Sequence, residues 1–297
     1  MAIPPPRTYT TLSSRGLRND ILPMRLYHKA KKLGIWDPRD IDLTQDRQDW
    51  QQMSVEKQDQ LRGLIMAFQA GEEAVTVDLL PLIMTIAREG RLEEEMFLTT
   101  FLWEEAKHTE FFRRVLDEAI QVRGQELNQH YINRSGAERD LFDDELVQDM
   151  GILLTDPSPV NQARASIVYN MIIEGVLAET GYYSFARMLN HNNIMPGLQK
   201  GLTLIKRDES RHIAYGVFLI SRLVAQDKSL WPIVEARMYE LYDRIESRRP
   251  KENVTKEAEE INDYSRQQFQ KRLTRIGRAR EQTLEQVYQT ADVEEQA

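Results

Sequence analysis

Along most of the chain, apolar residues recur three and four positions apart, the spacing of one face of an α-helix. Between residues 55 and 88 the series runs through Leu61, Leu64, Ile65, Phe68, Val75, Leu79, Leu82, Ile83 and Ile86. Residues 92–122, 160–189 and 197–226 repeat the pattern, so the spacing predicts four helices of about thirty residues, long enough to surround one core. Short breaks at "REGR" and "HNNIMPG" divide them into two antiparallel pairs. Shorter helices are expected at 23–33, 138–153, 229–247 and 255–288, and no run sustains the alternation of a strand. The fold expected is all-α. The Pro-, Ser- and Thr-rich residues 1–20 predict a flexible N-terminal arm, 21–288 a single helical domain and 289–297 an acidic tail, with "ESRRPKENVTK" as a link inside that domain.

Composition narrows the chemistry. The 297 residues contain no cysteine, which removes disulfides, thiolate ligands, iron–sulfur clusters and cysteine nucleophiles; any metal must be held by oxygen and nitrogen. A net charge of −8 and the absence of a basic stripe with interleaved aromatics argue against nucleic acid. The N-terminus lacks the apolar core of a signal peptide, and apolar stretches such as "GVFLISRLVA" are short and interrupted by charge, so a cytoplasmic protein without a membrane span is expected.

Acids stand where the helical period calls for apolar residues. In "LWEEAKHTEFF", Glu105 and His108 are three apart and share a helix face; "KRDESRHIAYG" repeats the arrangement with Glu209 and His212. Such a pair alone is most often a helix-stabilising surface pair. The other two long helices, however, carry Glu72 between Phe68 and Val75, and Glu174 between Met171 and Leu177. An ionised carboxylate in an apolar core without a partner costs several kcal/mol or takes up a proton. No Lys or Arg is expected in these stripes nearby, so four such acids call for cations from elsewhere.

The order is a single Glu, then Glu-x-x-His, twice over, with separations of 33 residues (Glu72 to Glu105) and 35 residues (Glu174 to Glu209), as two pseudo-symmetric hairpins require. This is the ligand pattern of carboxylate-bridged dinuclear sites in ferritin-like four-helix bundles, here with additional helices. Carboxylates and imidazoles suit iron or manganese. Asp208 is placed to orient His108 through its distal ring nitrogen. Glu73 and Glu104 are turned about 100° around their helix from the ligands, toward solvent or the surroundings of the ligands. His28, His130 and His191 fall in polar or loop contexts and are taken as bystanders.

The first 215 residues or so resemble the small subunit of ribonucleotide reductase, and "GIWDPRDIDLTQD" looks like that family's segment carrying a Trp before the metal helices, here Trp36. One departure concerns the radical-storing Tyr of that family, one turn after the first ligand histidine: this chain has Phe112 there. The closer resemblance is to the small-subunit-like ligand-binding oxidases, whose segments look like "AGEEAVTVDLLP", "FLTTF", "EEAKH", "VYNMIIEG" and "GYY". That resemblance implies one manganese and one iron per chain, manganese at Glu72, Glu105 and His108, iron at Glu174, Glu209 and His212, and Glu105 bridging. It also implies a long-chain fatty acid bound by its carboxylate, O2 activation for two-electron C–H oxidation, a homodimer, and an ether crosslink from the Val75 Cβ to the Tyr169 oxygen. Val75 shares a helix face with Glu72, but Tyr169, five before Glu174, is about 140° away on an ideal helix, so a π-bulge or bend is needed to turn both inward. Without the resemblance each would read as a plain core residue. The alternatives are a radical-generating ribonucleotide reductase subunit and an iron-storing ferritin-like protein.

Overall fold

The computed structural model describes residues 9–122, 140–190, 194–249 and 255–290. Among them every regular element is helical. The chain forms α1 (Leu22–Leu33), α2 (Thr44–Gln52), α3 (Val55–Asp78), α4 (Leu80–Arg88), α5 (Leu92–Arg114), α6 (Val147–Gly151), α7 (Pro159–Ser166), α8 (Glu179–Asn190), α9 (Pro196–Gln226), α10 (Trp231–Ser247), α11 (Lys256–Gly277) and α12 (Leu284–Tyr288). Between α7 and α8 the helix continues through a π segment, Ile167–Ala178, which supplies the rotation that Tyr169 and Glu174 require to face one side. Single π turns also follow α5 (Val115–Ile120) and precede α6 (Asp140–Leu146).

The bundle is α3, α5, the α7–π–α8 rod and α9, with α3 packed on α5, α9 on the π segment and α5 on α9. The helical run expected at 55–88 is divided at Leu79. Pro81 has no N–H to donate one turn back, so one helix ends and α4 restarts with the proline in its first turn. The tight turn to α5 uses Gly90 at φ +70, a conformation that favours glycine. The region 255–288 is α11, a 3-10 turn and α12 rather than one helix. Of the residues expected in the 138–153 helix, 138 and 139 lie outside the described residues.

Helix α2 has no apolar stripe and was not expected from the sequence. It packs by exception: Trp50 is buried, and Asp46 is buried with its carboxylate at the start of α9, accepting from Gly197 N at 2.9 Å and Leu198 N at 2.6 Å. Those amides have no partner within their own helix, and the carboxylate also complements the helix dipole.

Two hydrophobic clusters fill the bundle. One includes Val75, Phe97, Phe101, Tyr169 and Ile213, the other Ile65, Phe111, Phe112, Tyr182 and Ile205. On α3, α5 and α9 the chain passes from one cluster to the other across Glu72, Glu105 and Glu209, and on the central rod it does so shortly after Glu174, so the acids form a polar layer near the junction of the two. No described helix is long and apolar enough to cross a membrane.

Close approach at this layer depends on Gly216 of α9, where a Cβ would lie 2.2 Å from the Cβ of Asn170. Gly216→Ala is therefore expected to destabilise the protein by about 1–3 kcal/mol through overpacking, read as a lower denaturation midpoint in urea with an unchanged slope.

Candidate metal centre

The six candidate ligands read from the sequence converge. Glu72 comes from α3, Glu105 and His108 from α5, Glu174 from the π segment, and Glu209 and His212 from α9, and all six are buried. They fall into two overlapping groups, Glu72/Glu105/His108/Glu209 and Glu105/Glu174/Glu209/His212, each with its donor atoms within 4.8 Å of one another. His108 Nδ1 lies 3.1 Å from Glu209 Oε1, 3.4 Å from Glu72 Oε2 and 3.8 Å from Glu105 Oε2. His212 Nδ1 lies 2.9 Å from Glu105 Oε1, 3.6 Å from Glu209 Oε2 and 3.7 Å from Glu174 Oε1. Glu105 and Glu209 thus both stand between the two imidazoles.

Nδ1 of both histidines, both oxygens of Glu105, Oε1 of Glu174 and Oε2 of Glu209 are buried without a hydrogen bond, despite these close contacts. Buried polar atoms are nearly always satisfied. A group of six such atoms, all oxygen or imidazole nitrogen and all pointing at one small volume, fits divalent cations of the iron and manganese type.

The distal nitrogens are held from outside. His108 Nε2 meets Asp208 Oδ2 at 3.4 Å, and His212 Nε2 meets Glu104 Oε2 at 2.9 Å. Each acid immediately precedes the Glu of the opposite Glu-x-x-His motif, so the two motifs orient one another's histidines. Arg211, fully buried, joins the two acids through Nη2, 2.5 Å from Glu104 Oε1 and 2.5 Å from Asp208 Oδ1. Lys107 Nζ reaches Asp208 Oδ2 at 3.1 Å, and Trp36 Nε1 donates to the same oxygen at 2.7 Å. The Trp36 ring lies nearly parallel to His108, 6.2 Å between centroids. These buried cations stand beside the stripes, off the faces that carry the inner acids. They compensate Asp208 and Glu104 and form no ion pair with the four inner acids.

Glu104 is the residue sequence reasoning came closest to missing. Its direction off the ligand face left solvent open, whereas it is fully buried. His28 sits on α1 beside Asn19, away from the centre, and His130 and His191 lie outside the described residues.

The carboxylates share charge unevenly. Burial raises Glu72 to about 8 against the pull of His108, and burial together with Glu209 raises Glu174 well above the usual range. Burial would also raise Glu105, but the facing His212 and His108 hold it down to about 2. Asn170 steadies Glu174, donating from Nδ2 to Oε2 at 2.9 Å, and is itself held by Ser166 Oγ at 2.8 Å.

Above the site lies a cavity of about 240 Å³ with Glu72, Glu105, Glu174 and Glu209 at its inner end and Leu64, Phe68, Ile173 and Leu177 among its walls. Val75 lines it too. The Tyr169 hydroxyl, fully buried, donates to the Val75 carbonyl at 3.0 Å, which brings this pair together.

The ribonucleotide reductase, small chain, family model matches residues 24–289. An R2-like ligand-binding oxidase from Sulfolobus acidocaldarius is 38% identical with a TM-score of 0.85, over 95% of this chain and 98% of that one. A tyrosine-to-phenylalanine mutant of an R2-like ligand-binding oxidase with an aerobically reconstituted Mn/Fe cofactor is 33% identical with a TM-score of 0.82, over 90% and 97%. A glycine-to-phenylalanine mutant with an anaerobically reconstituted Mn/Fe cofactor is 34% identical, TM-score 0.82, over 90% and 98%. The chain belongs to the ribonucleotide reductase small chain family and, within it, to the R2-like ligand-binding oxidases.

In metal-free protein the raised Glu72 binds its proton more tightly when folded than when unfolded. Its contribution to stability is complete below pH 4.5 and is lost as pH rises to about 8. Thermal unfolding of the metal-free protein is expected to move to lower temperature across that window, and less so in Glu72→Gln, which stays neutral. Equal pH dependence in both would contradict the assignment of Glu72 as a proton-holding acid.

Proposed function

We propose that the protein is an O2-activating oxidase with one manganese and one iron per chain, performing two-electron C–H oxidation, with a long-chain fatty acid held in the cavity by its carboxylate. The observation that carries this reading is the set of unpaired oxygen and imidazole donors at the inner end of a mainly apolar cavity. Glu72, Glu105 and His108 would hold manganese and Glu174, Glu209 and His212 iron, with Glu105 bridging, as the resemblance implies; the position of Glu209 between the two histidines suits it to the same role. When bound, the two ions supply the electrons and Lewis acidity for reaction with O2.

The chain's own residues prepare the rest. Asp208 and Glu104 hold the distal nitrogens of His108 and His212, leaving each Nδ1 toward the centre. The apolar walls exclude water from the inner end, where an acyl chain would replace it. Tyr169 is fixed with its phenolic oxygen beside Val75. Joining Val75 Cβ to Tyr169 Oη breaks one C–H and one O–H bond, forms one C–O bond, and releases two protons and two electrons, the electrons passing to the O2-derived oxidant.

A radical-storing subunit fits less well. Phe112 has no phenolic oxygen, and its ring packs at 5.3 Å against Phe68. Iron storage would call for a multi-subunit cage, whereas this reading has two chains pairing as a homodimer.

Aerobic assembly with manganese and iron is expected to lower the chain mass by two hydrogens and to join the tryptic peptides carrying Val75 and Tyr169, as read by mass spectrometry. Anaerobic protein and Tyr169→Phe should give separate peptides. Separate peptides from oxygen-exposed, fully metallated wild type would refute the crosslink.

An organic extract of mildly purified protein is expected to contain about one long-chain fatty acid per chain, bound in the cavity. If no lipid is recovered and added fatty acid does not bind, the proposed ligand class is wrong.

A further inference from the structure

A column of aromatic rings leaves the centre without lining the cavity. Phe101 stacks on His212 at 3.7 Å between centroids, meets Phe97 at 6.0 Å, and Phe97 meets Tyr215 at 5.2 Å. Beyond Tyr215 the column continues to Phe218 at 6.1 Å and from there to Tyr288 at 5.6 Å.

Tyr215 is fully buried, and its hydroxyl donates to Glu94 Oε2 at 3.2 Å. The other oxygen of Glu94 faces Arg222 Nε at 3.4 Å and Arg91 Nη1 at 3.6 Å, and Arg91 also donates to the Tyr288 hydroxyl at 3.1 Å. Glu94, Arg91 and Tyr288 line a polar cavity of about 210 Å³ bordered by the half-exposed Arg15.

In a low-dielectric interior a phenol loses an electron readily only if its proton leaves at the same time, because the radical cation is a buried charge. The bundle helices carry three buried tyrosines, Tyr169, Tyr182 and Tyr215, and they differ in this respect. Tyr169 donates to a backbone carbonyl, so its proton has no side-chain base to go to and would have to pass to the centre itself, as in the crosslinking step. The Tyr182 hydroxyl has no hydrogen-bond partner. Tyr215 donates to a carboxylate, and burial raises the pKa of Glu94 against the pull of Arg222 and Arg91, which makes it the stronger base.

We propose that Tyr215 is a redox-active residue that gives one electron to the O2-oxidised dinuclear centre and its phenolic proton to Glu94, becoming a neutral phenoxyl radical. The inference rests on the proposed function, which supplies the oxidant. The Tyr215 O–H bond breaks, Glu94 becomes the neutral acid, and the centre is reduced by one electron. The proton has a route outward through the polar cavity, and Tyr288 is the next oxidisable ring in the column. Tyr215 thereby drains an oxidising equivalent that neither the Val75–Tyr169 pair nor a cavity occupant has consumed.

The test uses reduced, Mn/Fe-loaded Tyr169→Phe protein, in which the crosslink cannot spend the oxidant, mixed with O2, freeze-quenched and read by electron paramagnetic resonance. A tyrosyl signal is expected that narrows when the tyrosines carry ring deuterium, a readout that leaves Tyr215 unsubstituted. The signal should be lost in Tyr169→Phe/Tyr215→Phe and in Tyr169→Phe/Glu94→Gln, with metal content and O2 uptake unchanged. A signal of full size without Tyr215, or O2 uptake with no tyrosyl signal, would overturn the proposal while leaving the oxidase reading intact. Failure of O2 uptake itself would overturn the oxidase reading, and with it the oxidant that Tyr215 needs.

Discussion

Four carboxylates inside a helical bundle are the constraint on which the rest of this structure depends. Glu72, Glu105, Glu174 and Glu209 are buried between two hydrophobic clusters, where an uncompensated charge costs several kcal/mol. The chain treats its acids in two ways. Asp208 and Glu104 are neutralised by protein cations, Arg211 bridging both and Lys107 adding to Asp208. The inner four are given no protein cation other than the two imidazoles, and apart from Glu174 Oε2, which accepts from Asn170, they present donor atoms such as both oxygens of Glu105 to ions that the chain does not encode. A core packed this way is poor in stability terms and specific in chemical terms.

That tension is also why the centre was legible in the sequence. A glutamate on an apolar stripe contradicts the pattern around it, and two such residues plus two Glu-x-x-His pairs repeat the contradiction at nearly equal separations. Helices α5 and α9 were legible for the complementary reason, as long uninterrupted stripes. Once the resemblance turned Tyr169 inward, its five-residue offset from Glu174 called for a π-bulge or a bend, although a one-residue argument could not give the length of the π segment, Ile167–Ala178. The break after α3 is marked by Pro81, a residue that the apolar periodicity across 55–88 does not register. Helix α2 left no trace in the periodicity, since its worth lies in one aromatic and one capping carboxylate, Trp50 and Asp46, whose partners are long-range.

Glu104 shows the limit of reasoning from one helix at a time. Its direction on α5 said only that it is not a ligand, and its role depends on where α9 passes. A signal was nonetheless present: Glu104 and Asp208 occupy the same place in the two motifs, directly before the ligand glutamate. Had Asp208 been read together with the repeat, Glu104 would have followed by symmetry. Arg211 is then the expected third member, since two adjacent buried acids require a cation.

The crossed arrangement of these acids bears on how the protein is made. Because Asp208 orients His108 and Glu104 orients His212, neither half of the centre is complete on its own hairpin. The amino-terminal hairpin by itself carries Glu72, Glu105 and His108 but neither the acid that orients that imidazole nor Glu209. A premature ion meeting that half-built pocket finds a partial coordination set. The full set of donors, on which any discrimination between ions depends, exists only where α9 lies against α5.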